Sequence, residues 1–374
     1  MNPLALARFG EFCREKKLSS VLLSNPATIA WLTGYAPPIQ TGHNPFEGGP
    51  ALGWWREGQL TLLLSDTEAG AARAHGADAH DYVSYTIDGP AAGFQNQAVV
   101  LREALSGSST RKGPVGIELN FLPASFLELL QDILPMASWI PLDSGFDLLR
   151  AIKTADELER IRAALALCDL AQAETKRLIR PGISEIELWG QVKAHLEVAA
   201  GCRLPLLADF LGGVRTAEIG GLPSGYVLSE GDVLIADIVP RLNGYWGDNA
   251  GTHFVGEPSP ELRKAYHVVL DVLREGIAAI RPGVRACDLD LHLRDAIQHR
   301  GYPSYPHHSG HGLGTTYHEE PRIVPYNTLA LQPGMVIAIE PGVYIPNIGG
   351  VRLEDVVLVT PDGCEVLTRH LGSS

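Results

Sequence analysis

Glu340 sits at the end of the run 335–339 and Glu354 inside the run 351–359, two runs that read as neighbouring strands, with Pro341-Gly342 and Gly349-Gly350 punctuating the stretch between them. A paired or bent hairpin would bring both carboxylates to one place, and ionised side chains are seldom buried unless paired or bound to a metal. Asp237 and Asp248 flank Asn243-Gly244, the strongest short hairpin signal, so a second pair of acids is expected at similar height on adjacent strands. His311 lies within His307-His308-Ser309-Gly310-His311-Gly312-Leu313-Gly314, and His318-Glu319-Glu320-Pro321 follows. Glycines around a histidine suit close backbone approach to a metal or a substrate. Taken one at a time, each residue has an ordinary reading as a solvated turn acid, a surface histidine or a charge-paired core glutamate.

The elements that must position these residues read as a duplicated unit. Leu228-Ser229-Glu230-Gly231 precedes Asp237 as Leu331-Gln332-Pro333-Gly334 precedes Glu340, with the acid six residues after the glycine in each case and an offset of 103 residues. Arg180-Pro181-Gly182 recurs as Arg281-Pro282-Gly283, each ending an amphipathic run, at an offset of 101. Helix, RPG turn, helix and acid-tipped strand thus appear twice in the same order, which points to pseudo-twofold symmetry with a site between the halves.

In order and spacing, Asp237, Asp248, His311, Glu340 and Glu354 resemble the five metal ligands of the creatinase/aminopeptidase family, whose catalytic fold is called pita-bread. GYWGDN, HSGHGLG, HEEP, EPGVYIP and GGVRLED are similar to that family's motifs, and the RPG repeat to its internal duplication. Val115-Gly116-Ile117-Glu118 and the stretch from Ile152 to Leu158 resemble its N-terminal domain and the junction that follows. The resemblance covers nearly the whole chain. It implies a two-domain α/β protein, with a creatinase-like N-terminal domain over 1–150 and a pita-bread metallopeptidase domain over 151–374.

The resemblance also implies roles. Asp237 would bind one divalent ion, His311 and Glu340 a second, and Asp248 and Glu354 would bridge them. Four carboxylates and one imidazole favour Mn²⁺ by ligand type, with Co²⁺, Fe²⁺ or Zn²⁺ as alternatives. Two ions about 3.5–4 Å apart can activate water and polarise a scissile carbonyl. Glu340 would also handle the proton, His318 would hydrogen-bond the developing oxyanion or the substrate amide, and His307 would line the proline pocket. Arg352, two residues from Glu354 in sequence, is expected on the same strand face in support of the ligands.

The implied activity is hydrolysis of the bond before a proline in second position, with Xaa-Pro dipeptides as substrates. The alternatives are an Xaa-Pro aminopeptidase on longer peptides, a C–N hydrolase of a small solute such as ectoine, and a non-catalytic binding protein on the same fold. The sequence departs from the family at two places: Gly220 stands where prolidases carry a histidine, and Ala250-Gly251-Thr252 replaces Thr-Arg-Thr. Arg215 and His253 are candidate substitutes, and Arg215, Arg352 or the loop 35–50, with His43, Phe46 and Glu47, could cap a dipeptide's free carboxylate.

Composition bounds the rest. Over 374 residues, 30 Lys+Arg against 43 Asp+Glu give a net charge of −13, which argues against nucleic acid or an anionic membrane as partner. Five cysteines at 13, 168, 202, 287 and 364 form neither a CxxC nor a close pair, so a reducing cytoplasm is expected and a thiolate zinc site is not. Charged residues interrupt the N-terminal apolar run, so neither a signal peptide nor a membrane span is expected. A homodimer follows from the resemblance alone.

Overall fold

The computed structural model describes residues 1–39, 46, 48–106, 114–143 and 145–371. His43 and Glu47 of the 35–50 loop therefore lie outside the described residues. The chain forms two compact units, Met1–Arg150 and Ala151–Ser374.

In the first unit, β1 (Ser20–Leu23), β2 (Leu52–Arg56), β3 (Gln59–Ser65), β4 (Asp78–Tyr82), β5 (Pro114–Ile117) and β6 (Ser138–Pro141) make one sheet in the order β4-β3-β2-β1-β5-β6. Along β1 the side chains alternate between two cores: Val21 and Leu23 pack with Phe9, Trp31 and Trp55, and Leu22 packs with Leu101, Phe126 and Leu130. Every residue of β1 is buried, as expected for a strand covered on both faces. Helices α1 (Pro3–Glu15), α2 (Pro26–Thr33), α3 (Asp66–Ala74), α4 (Gly93–Ser106), α5 (Ala124–Ile133) and α6 (Phe146–Ala151) supply the covering. The second helix begins with an Asn25 cap and Pro26, and ends at Gly34 with φ of 75°.

The second unit opens with α7 (Ala155–Leu178), whose Thr154 and Glu157 cap each other reciprocally. It continues through α8 (Glu185–Ala200), β7 (Leu206–Gly212), β8 (Val233–Leu242), β9 (Tyr245–Trp246), β10 (Asn249–Phe254), α9 (Pro260–Ala279) and α10 (Ala286–His299). The remaining strands are β11 (Gly310–Gly312), β12 (Glu319–Ile323), β13 (Val336–Ile339), β14 (Gly342–Ile345), β15 (Gly349–Arg352), β16 (Asp355–Val359) and β17 (Cys364–Val366). They form sheets ordered β10-β8-β7, with β9 on β8, and β12-β11-β13-β16-β17, plus the ribbon β14-β15.

The duplication is written in the backbone hydrogen bonds. Gly182 N donates to Leu228 O and Glu185 N to Tyr226 O in the first half; Gly283 N donates to Leu331 O and Ala286 N to Leu329 O in the second. The two RPG glycines have φ of 86° and 87°, and Gly231 and Gly334 have 88° and 89°. An L side chain at any of the four would be strained, which explains why the same punctuation recurs.

Candidate metal centre

The Asn243-Gly244 turn has φ of 49° and 87°, the double positive pair of a type I′ hairpin. Its register sets Ala250 against Asp237 and Trp246 against Arg241. Continuing that register places Asp248 opposite Val239, two residues from Asp237, so both acids leave the same face of the sheet. In the second hairpin Ile339 pairs with Asp355 and Gly342 with Arg352, which puts Glu340 opposite Glu354. The 351–359 run is not one strand, however. Pro341 has no N–H to continue the ladder, so the hairpin breaks there into two sheets. Glu354 N turns to Ala250 O at 2.9 Å and Glu340 N to Ser309 O at 3.0 Å, which ties the hairpin to the strands carrying Asp248 and His311.

A cavity of about 480 Å³ results, lined by Asp209, Asp237, Asp248, His311, His318, Glu340 and Glu354 and walled by Trp189, Leu206, Leu222, Val239 and Tyr317 among others. All five residues matched to family ligands therefore face one space. Ligand atoms of Asp248, His311 and Glu354 lie within 4.8 Å of one another, and so do those of His308, His311 and His318.

Electrostatics show what this space demands. Burial, then repulsion from the neighbouring acids, raises the carboxyls of Asp248 and Glu354 well above the ordinary range. Burial likewise raises Asp237, to about 6, although Arg352 works against the shift. Burial would raise Glu340 too, but His308, His311 and His307 hold it down, at about 2. Asp237 Oδ1 and Glu354 Oε1 are buried with no hydrogen-bond partner among the described residues. Crowded, desolvated acids with unpartnered oxygens fit divalent cations, which would both neutralise and coordinate them.

The histidines are oriented by their second nitrogens. His311 Nδ1 lies 3.0 Å from Gly312 O, a carbonyl that can only accept, so the proton sits on Nδ1 and the Nε2 lone pair faces Asp248 at 3.5 Å and Glu340 at 3.6 Å. His307 Nδ1 donates to His308 O at 2.8 Å and its Nε2 accepts from Tyr344 OH at 2.8 Å. Burial lowers His307 to about 4 and, with His311 and His308 adding to it, His318 to about 3, so both rings are neutral near pH 7. The His318 ring lies 4.1 Å from that of His311, centroid to centroid, tilted by 58°.

Arg352 supports a matched ligand, though not the one next to it in sequence. Its guanidinium does not serve Glu354; it reaches Asp237 and Asp209, each at 2.8 Å, Tyr344 OH at 3.3 Å, and Ile219 O. Sequence adjacency to Glu354 was a poor guide because the sheet switch intervenes. Arg215 is committed to Glu185 and to Ser224 Oγ at 2.9 Å, away from the cavity lining. His253 bonds Gln172 Oε1 at 2.8 Å and lines a different cavity, so it does not replace the histidine expected at 220.

Three contributors were missed from sequence. His308 lies in the quoted glycine-histidine stretch and bonds Glu340 Oε1 at 2.8 Å. Arg322, four residues after His318, has a field that disfavours protonation of His308, His311 and His318. Asp209 carries no motif signal; only the pairing of its strand with that of Asp237 brings it here.

Comparison with known proteins agrees with this architecture. Residues 159–361 match Metallopeptidase family M24, and residues 6–152 match the Creatinase/Prolidase N-terminal domain. The chain belongs to metallopeptidase family M24. It is 36% identical to the Xaa-Pro dipeptidase of Pyrococcus furiosus over 97% of each chain. Among solved structures, the prolidase from Pyrococcus horikoshii OT3 superposes with a TM-score of 0.84 at 26% identity over 98% of both chains. An Xaa-Pro dipeptidase from Bacillus anthracis gives 0.84 at 26% over 99% of this chain and 98% of that one. Among the described residues no helix is long and apolar enough to cross a membrane.

Proposed function

We propose that this metallopeptidase hydrolyses Xaa-Pro bonds, with dipeptides as its substrates. The observation that carries the reading is the convergence of four desolvated carboxylates and one Nε2-directed imidazole on a single cavity. Full-length similarity to a protein named Xaa-Pro dipeptidase supports the substrate class.

In this reading Asp237 would hold one ion and His311 and Glu340 a second, with Asp248 and Glu354 contributing to both sites. Four carboxylate charges call for two divalent ions, and the oxygen-rich donor set favours Mn²⁺. Bound there, the ions would supply Lewis acidity and an activated water. The protein's own groups do the rest. Glu340 would take the proton of the attacking water and return it to the proline nitrogen as the bond breaks, with His308 donating to one of its oxygens. His318, neutral and beside His311, donates to the carbonyl oxygen as charge develops on it. His307, fixed by Tyr344 and His308 O and 3.9 Å from Glu340 Oε2, would border the proline side.

The free carboxylate of a dipeptide needs a cation, and neither lysine nor arginine is among the residues lining the cavity. Arg352 and Arg215 are engaged elsewhere, whereas Arg322 is exposed and its field, like that of Arg352, reaches the site histidines, so we assign it that role. A dimer and a cytoplasmic location rest on the family resemblance and on five free cysteines.

The test is a panel of Xaa-Pro dipeptides, Xaa-Pro-containing tripeptides and ectoine, each assayed with and without added Mn²⁺. Cleavage of the dipeptides in preference to the rest is expected. Turnover of ectoine alone would overturn the reading.

A further inference from the structure

Asp209 belongs to none of the motifs, yet it stands directly across the sheet from Asp237. Its Oδ2 accepts from Arg352 Nη2 at 2.8 Å, and the same nitrogen donates to Asp237 Oδ2 at 2.8 Å. Its Oδ1 accepts from Gly221 N at 2.9 Å. The arginine side chain is only 3% exposed, whereas that of Asp209 is 35% exposed and lines the cavity.

Charge and direction decide what this arrangement does. A guanidinium keeps its proton, so Arg352 alone would cancel one of the four carboxylate charges gathered for divalent cations. Asp209 adds back the charge that Arg352 removes, and the cluster keeps the four that two divalent ions neutralise. Sharing one nitrogen between two carboxylates also divides its hold on Asp237. Because Oδ2 of Asp237 is occupied by Arg352, Oδ1 is the oxygen left without a partner among the described residues. We propose that Asp209 is a positioning residue which, by sharing Arg352, keeps the charge of Asp237 available to a divalent ion and fixes the oxygen that Asp237 presents. The proposal rests on the metal-dependent reading above.

Gly220 is the other half of the arrangement. A Cβ there would lie 2.6 and 2.8 Å from the two Asp209 oxygens. Any side chain at 220 would push the carboxylate away from Arg352, which gives the glycine at the position of the expected histidine a physical reason.

The experiment titrates Mn²⁺ calorimetrically into chelator-stripped protein. Asp209→Asn should weaken binding of at least one ion by about ten- to a hundredfold, the usual cost of losing a group that supports a metal ligand. Gly220→Ala, which displaces the carboxylate without changing any charge, should weaken it in the same direction by less, and it carries the test if Asp209→Asn does not fold. Adding Arg352→Gln to Asp209→Asn should recover most of the loss, because the uncompensated cation is then gone; a merely structural role would show no such rescue. Wild-type affinity in Asp209→Asn, or a double variant no tighter than Asp209→Asn, would overturn the role of Asp209. Wild-type protein that binds no Mn²⁺ would instead overturn the metal centre.

Discussion

His308 Nε2 lies 2.8 Å from Glu340 Oε1. The ring therefore holds the very carboxylate that is assigned to one of the ions, and the Glu340 bond raises His308 above its ordinary value against the effect of burial. Protonated His308 competes with a cation for that oxygen, so metal affinity should weaken as pH falls, approaching about tenfold per unit for one displaced proton. His308→Ala should flatten this dependence in Mn²⁺ titrations between about pH 6 and 8. A slope identical to that of the wild type would remove the competition.

Asp248 is raised chiefly by burial and then by repulsion from Asp237 and Glu340, so without metal its charge works against folding. Asp248→Asn should abolish activity and lower bound metal while leaving the chelated protein at least as heat-stable as chelated wild type. Calorimetric melting with excess chelator checks this, and a marked drop in Tm would contradict it.

His318 faces two readings, because its ring nitrogens are close enough to His308 and His311 to complete a three-imidazole set. As an oxyanion donor, its replacement by Ala should keep the metal and cost about 10²–10³ in kcat. Metal content falling as far as in His311→Ala would make it a ligand instead.

For Arg322 the readout is substrate length. Arg322→Ala should raise KM about tenfold on Ala-Pro, roughly the value of one charge-assisted contact, and leave Ala-Pro-Ala nearly unchanged. Equal effects on both peptides would clear Arg322 of reading the carboxylate.

His253 bears on stability rather than catalysis. Burial, with His370 and Lys176 adding to it, lowers it to about 3 from an ordinary 6.5. The unfolded chain thus binds the proton first, and the stability this neutral ring supports is present above pH 6.5 and is lost as pH falls toward 3. At pH 5 the loss is about 2 kcal/mol. His253→Asn should lose less stability than wild type between pH 8 and pH 5 in urea unfolding, and an equal loss would refute the assignment.

The sequence by itself determined the hairpin at Asn243-Gly244, the strand end at Glu340, the paired RPG turns and the family to which Asp237, Asp248, His311, Glu340 and Glu354 are matched. These are legible because turn chemistry is local: positive φ selects glycine or asparagine, and proline stops a ladder wherever the chain goes next. Only the tertiary structure decided which partner each polar side chain takes. Arg352 bonds Asp237, 115 residues away, rather than Glu354 two residues away, because the sheet switch at Pro341 lies between sequence and contact; the register of β7 on β8 then sets Asp209 across from Asp237. Asp209 and Gly220 have no local signature either, since a carboxylate filling the space left by a missing side chain is a relation between strands and loops that only folding brings together.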